Sequence, residues 1–192
     1  SLRATVSLPG RPKPWVCESL PLRVPGAGIL GTSDVVRIRA GYYPEKSGEF
    51  RGNVLYFEGL ADSMLNHDPL FSRLSEEGFR VVAFDYMGQG GSEGSMNRTR
   101  IRAIPKIGDQ VWKRFARDLD RHPTKTLIGW STGGLAAYVA ATEGDADRVV
   151  LIAPGLAPNV IVGEGTRSWP PDRITLSTLT SAYPYSSGES NP

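Results

Sequence analysis

Two residue types that would announce a chemistry are nearly missing from this sequence. Cys17 is the single cysteine of 192 residues, and His67 and His122 are the two histidines. One thiol excludes an internal disulfide framework and any metal site built from several cysteines, and no metal is expected. An excess of one sign of charge is missing too, since 22 basic against 20 acidic residues leave a formal net charge of +2. Without a long basic run there is no electrostatic case for nucleic acid as a partner. No apolar run reaches the ~18 residues of a membrane-spanning helix; cytoplasmic and exported locations both stay open. Nucleotide loops are absent as well. Gly88-Gln89-Gly90 would need glycine at 93 to complete G-x-G-x-x-G, but Glu93 stands there, and no G-x-x-x-x-G-K-[ST] occurs. No cofactor is expected.

What the chain does have is a hydrophobic content of 40%, enough for one substantial core or two small ones. The first 30 residues are rich in proline and glycine and read as an edge wrapping, with a strand over Trp15 to Val24. Val35 to Tyr43 alternates as a half-buried strand does, with Val36, Ile38 and Ala40 opposite Arg37 and Arg39. Val54 to Phe57, Arg80 to Phe84, Thr126 to Gly129 and Arg148 to Ala153 are short apolar runs that read as buried strands. Between them the pattern predicts helices. One starts with Asp68 as N-cap and Pro69 at the first helical position and stops near Gly78. A second opens at Pro105 and repeats Ile107, Val111, Phe115 and Leu119 every four residues. A third covers Thr132 to Thr142. Continuous apolar strands separated by helices imply an α/β fold with a mostly parallel sheet covered on both faces. Ligands of such sheets gather at the carboxyl ends of the strands. Those ends are Glu58-Gly59-Leu60, Asp85 to Ser92, the turn at Ser131, and Pro154 onward.

At one of these ends stands Gly129-Trp130-Ser131-Thr132-Gly133, a G-x-S-x-G placed between a strand and a helix. The mechanics of that motif need glycine two before and two after the serine, where the backbone passes too close for side chains. The serine is then pushed out above the sheet, with the positive end of a helix dipole below it. Such a serine is a candidate nucleophile. A plain N-cap is the competing reading of Ser131, and it needs no glycine on both sides.

Three segments together resemble the α/β-hydrolase superfamily, and within it the lysophospholipase, monoglyceride-lipase and serine-aminopeptidase-like group. They are the Ser131 turn, Asp85-Tyr86-Met87-Gly88-Gln89-Gly90-Gly91-Ser92 as a D-x-x-G-x-G-x-S loop, and Glu58-Gly59-Leu60 where the family usually has His-Gly-x. The similarity runs over about residues 35 to 155, in the family's order and spacing. It implies acyl transfer from a small carboxylic ester to water through an acyl-enzyme at Ser131, with lipid or acylglycerol-like substrates. The oxyanion would be held by the backbone N–H groups of Leu60 and Thr132. Asp85 would brace its loop, and Glu58 would anchor backbone N–H groups. A catalytically silent binding module on the same fold, or an acyltransferase, stays open beside the hydrolase.

The family order is serine, acid, histidine, and both histidines here precede Ser131. His122 falls at the amino edge of the sheet and reads as a surface residue; His67 falls on the correct edge and reads as a solvated or capping residue. The acidic residues after Ser131 are Glu143, Asp145, Asp147, Glu164, Asp172 and Glu189, none of them on a recognisable strand end. Residues 1–155 therefore read as the amino-terminal part of the hydrolase core, and 156–192 as the start of a cap or lid. The carboxy-terminal strands, with the acid and the histidine, are expected in a segment outside this chain that pairs beside Val149 to Ile152.

Overall fold

The computed structural model describes residues 3–6, 15–28, 32–96, 103–119, 124–144, 146–154 and 175–179. Its elements follow the chain as β1 (Arg3–Val6), β2 (Trp15–Val24), β3 (Asp34–Tyr43), β4 (Gly52–Phe57), a 3-10 turn (Met64–His67), α1 (Asp68–Glu76), β5 (Phe79–Phe84), α2 (Ile104–Leu119), β6 (Lys125–Trp130), α3 (Thr132–Glu143), β7 (Arg148–Ile152) and β8 (Thr175–Leu179). They form one eight-stranded sheet in the order β1-β2-β3-β5-β4-β6-β7-β8. The strands from β5 to β8 in that order run parallel. β1, β2 and β3 join antiparallel at one side.

All six residues of β4 are buried. Its period of two sends alternate side chains to opposite faces, and both faces are covered. Val54 and Tyr56 pack with Phe71, Val81, Ala83 and Ile128 on the side of α1. Leu55 and Phe57 pack with Val82, Phe84, Ile107, Val111 and Ala137 on the side of α2 and α3. A strand buried on both sides has to be apolar throughout, and this is why an unbroken run marks it.

Two expectations change. His67, not Asp68, holds the N-cap position of α1, because the 3-10 turn runs straight into the helix. Asp68 is buried and accepts a hydrogen bond from the Tyr43 hydroxyl. The second change concerns the edge beside Val149 to Ile152, where a segment outside this chain was expected. This chain's own β8 lies there, parallel, pairing Val149 with Leu176 and Leu151 with Thr178. Apart from β8, residues 156–192 lie outside the described residues, as do His122, Asp145, Glu164, Asp172 and Glu189.

Candidate functional site

The sheet order places the site. From β4 the chain passes through α1 to β5 on one side, then through α2 to β6 on the other. The loops leaving the carboxyl ends of β4 and β6 therefore diverge, opening the crevice where open α/β sheets bind ligands. Phe57 and Gly129 are paired across that junction.

Backbone strain is concentrated on this edge. Among the described residues, the non-glycine residues with positive φ are Ala61 (57°), Ser131 (51°) and Ala153 (43°). They follow β4, β6 and β7 respectively, so each lies at the carboxyl end of a parallel strand. Residues with a β-carbon hold such angles only where the surroundings impose them, and they cluster at functional sites.

What imposes the angle at Ser131 can be read atom by atom. A β-carbon on Gly129 would meet the backbone of Gly133 and Gly134 at under 3.0 Å, and one on Gly133 would meet the carbonyl oxygens of Phe57 and Glu58 at under 3.0 Å. The turn is thus packed backbone against backbone. It is tied to β7 by the Ser131 N–H, which donates to the Ile152 carbonyl at 3.0 Å, and to α3 by the Gly134 N–H, which donates to the Ser131 carbonyl at 2.9 Å. Ser131 occupies the N-cap position of α3, but its side chain makes no capping bond. A cap that does not cap argues against the plain structural reading.

The loop after β4 closes on this turn. A β-carbon on Gly59 would lie 3.4 Å from Trp130 Cδ1 and 3.6 Å from Ser131 Cβ. The structure so brings Leu60, Ser131 and Thr132 to one edge, with Leu60 and Trp130 exposed beside the serine.

Asp85 and Glu58 tie the loops together from below. Asp85 is fully buried. One oxygen accepts the Met64 N–H at 2.8 Å and the Ser63 hydroxyl at 3.2 Å. The other accepts the Gly91 N–H at 2.9 Å and pairs with the Arg39 guanidinium. It is a brace, with no oxygen left for chemistry at Ser131. Glu58 anchors the neighbouring loop: its Oε1 accepts the Tyr86 N–H at 3.0 Å and the Gln89 amide at 2.9 Å, while its buried Oε2 has no hydrogen-bond partner. Burial, with the charge of Asp85 adding to it, pushes the Glu58 carboxyl up to about 9. It is neutral at pH 7 and adds no charge to the site.

His67 is not a solvated residue, and although it holds the N-cap position of α1 its side chain makes no capping bond. Its side chain is 13% exposed, its Nε2 stands 2.6 Å from Asp62 Oδ2, and its Nδ1 stands 3.0 Å from the Tyr56 hydroxyl. Both ring nitrogens are engaged, which leaves neither for Ser131. Glu143, at the end of α3, and Asp147, which accepts the Lys125 N–H at 2.7 Å, lie at the opposite, amino edge of the sheet. Sequence reasoning missed Asp62 and Gln89. No spacing rule marks either, because each acts through contacts between separate loops.

The sequence profile of the family described as Serine aminopeptidase, S33 matches residues 48–188. YfhR of Escherichia coli, an uncharacterized protein, is 28% identical over 141 residues, which are 71% of this chain and 45% of YfhR. The chain thus spans about half the length of the curated relatives it matches. A putative hydrolase from Agrobacterium vitis is similar in structure with a TM-score of 0.54 at 26% identity, over 80% of this chain and 56% of that one. The monoacylglycerol lipase of Paleococcus ferrophilus has the same TM-score, 0.54, and identity, 26%, over 62% of this chain and 44% of the lipase.

Proposed function

This chain belongs to the serine aminopeptidase S33 family of α/β hydrolases, and from that membership we propose that it hydrolyses carboxylic esters with Ser131 as nucleophile. The observation that carries the reading is the strained turn, where a serine without a capping bond is held at φ 51° by glycines that have no room for a side chain. Ser131 Oγ forms a bond to the ester carbonyl carbon while its proton passes to a histidine base. The carbonyl oxygen takes the electron pair as an oxyanion and accepts hydrogen bonds from the Leu60 and Thr132 N–H groups. Collapse of this intermediate expels the alcohol, which receives the proton. Water then attacks the acyl-serine by the same route, releasing the carboxylic acid and restoring Ser131.

The histidine and its acid belong, in this reading, to a complementary carboxy-terminal segment. Support comes from the engaged nitrogens of His67 and from a match that spans 45% of YfhR. The substrate class is a lipid or acylglycerol-like ester. It is supported by the apolar rim of Leu60 and Trp130 and by the likeness to a monoacylglycerol lipase.

A fluorophosphonate probe tests the reading on the full-length protein. The label is expected on Ser131 alone, and Ser131→Ala should lose both label and ester turnover. Label on another residue, or full turnover by Ser131→Ala, would overturn it. The second reading, a silent binding module, draws on the absence of a base for Ser131 among the described residues. It predicts no label while ester analogues still bind. Release of free acid rather than transfer to an added alcohol separates hydrolase from acyltransferase.

A further inference from the structure

The loop from Glu58 to Ser63 carries Leu60, yet its own backbone is strained at Ala61, φ 57°. Something must hold it. On one side the Ala61 N–H donates to Gln89 Oε1 at 2.8 Å. On the other stands Asp62. Its Oδ1 accepts the Ser63 N–H at 2.7 Å and the Asn66 amide at 2.8 Å. Its Oδ2 faces His67 Nε2 at 2.6 Å.

The chemistry of the partners fixes the roles of the imidazole. An ionised carboxylate only accepts, so Nε2 carries a proton and donates to Asp62; in the neutral imidazole Nδ1 then accepts from the Tyr56 hydroxyl. The carboxylate is ionised because the hydrogen bonds from Asn66, His67 and Ser63 outweigh its burial and hold it below its ordinary value. Tyr56 belongs to β4 and is fully buried. The His67 ring lies 4.8 Å from the Tyr56 ring and 5.9 Å from the Trp130 ring, centre to centre. The relay thus starts in a strand buried along its whole length and ends on the loop. It also flanks the loop glycine that faces the serine, because Asp62 Oδ2 and Ser131 Cβ each lie 3.6 Å from the point where Gly59 would carry a β-carbon.

We infer that His67 and Asp62 are positioning residues: anchored on Tyr56, they hold the loop after β4 in the shape that presents the Leu60 N–H to a carbonyl oxygen bound at Ser131. The role of Leu60 in this statement rests on the ester-hydrolase reading. The histidine is not the base, since neither nitrogen faces the serine oxygen with a free hand. It sets the geometry of the oxyanion donor. Donors of this kind act only when fixed in advance, and loosening one changes the transition state more than the bound substrate.

The test uses the full-length protein, with rates expressed per serine titrated by fluorophosphonate, so that unfolded molecules do not count. His67→Ala should lower kcat about 100-fold, the penalty typical of a misplacement near 1 Å, while KM stays near wild type. His67→Gln places an amide N–H where Nε2 was and should recover most of that loss. Amide hydrogen exchange at residues 60–62 should quicken in His67→Ala and return towards wild type in His67→Gln. Unchanged kcat per titrated serine in His67→Ala would overturn the inference, and so would a glutamine variant no better than alanine. If Ser131→Ala keeps its turnover, the ester-hydrolase reading falls by itself. The exchange measurement still decides the relay, which is refuted if residues 60–62 exchange no faster in His67→Ala.

Discussion

Gly133 lies against the backbone carbonyl of Phe57, closer than any residue with a side chain could stand: a β-carbon there would come under 3.0 Å from that oxygen and from the next one, on Glu58. The contact joins the start of α3 to the end of β4. Because both obstructing atoms are backbone, one at the end of a buried strand and the other directly after it, neither can rotate away as a side-chain end would. Gly133→Ala should therefore destabilise the fold by about 3 kcal/mol, the upper end for overpacking, and should separate Leu60 from Ser131. Urea denaturation measures the first effect. The second appears as loss of fluorophosphonate labelling in the fraction still folded at low urea. An alanine variant with wild-type midpoint and labelling would show that the turn can relax.

Ser131 itself is held at φ 51°, ψ −120°, a region that suits glycine and costs other residues about 1–3 kcal/mol. Ser131→Gly relieves that strain, though glycine also loses about 0.4–1 kcal/mol through the greater freedom of its unfolded chain. A net gain of about 1 kcal/mol is expected, with turnover abolished. Ser131→Ala keeps the strain and should lose turnover without the gain. Thermal unfolding of the two variants side by side checks this. Equal melting temperatures would mean the angle costs the protein no more than the ~0.4–1 kcal/mol that glycine loses.

Much of this was legible in the sequence because burial writes itself as pattern. The six buried residues of β4 include the run Val54-Leu55-Tyr56-Phe57, and the face of α2 repeats Ile107, Val111 and Phe115 at helical spacing. The glycines around Ser131 were legible for a steric reason, since only they can stand at contacts this short. β8 was not legible: Thr175, Ser177 and Thr178 break any apolar run, and its extended form depends on pairing with β7. Nor was the Tyr56–His67–Asp62 relay, because separations of eleven and five residues have no meaning until the 3-10 turn folds His67 back over β4. A histidine read as solvated or capping became a largely covered one with both ring nitrogens engaged, through tertiary contacts alone.

Asp85 gives a prediction about stability. Its carboxylate is fully buried beside the Arg39 guanidinium, 23% exposed, and accepts two backbone N–H bonds besides. Asp85→Asn keeps the size but leaves the arginine without its counter-charge, and turns an acceptor towards a donor on one side. Breaking such a pair by removing one partner costs about 3–5 kcal/mol. The loss should appear in urea denaturation, and a drop below about 1 kcal/mol, the range of an exposed pair, would show that water takes the carboxylate's place. Because Ser63 and Gly91 share that carboxylate, the loops at 63 and 91 should show the fastest new hydrogen exchange.

Glu58 gives a prediction about pH. Burial first, and then the nearby Asp85 charge, push its carboxyl up to about 9, whereas an unfolded glutamate titrates near ~4.3. A folded value above the unfolded one means that the folded protein keeps a proton the unfolded chain releases. The favourable contribution is complete below about pH 4 and is lost as pH rises through about 9. Across that window stability should fall by up to about 1.4 kcal/mol per pH unit on account of this one group. Glu58→Gln cannot ionise, and its amide oxygen can still accept from the Tyr86 N–H and the Gln89 amide that Oε1 serves now. The variant should match wild type at pH 4 and be more stable by a growing margin towards pH 9. Urea midpoints of both proteins at intervals of one pH unit decide the matter. A margin that stays constant from pH 4 to 9 would mean that Glu58 carries its charge in the folded protein, and that the unpartnered Oε2 is compensated by a group other than a proton.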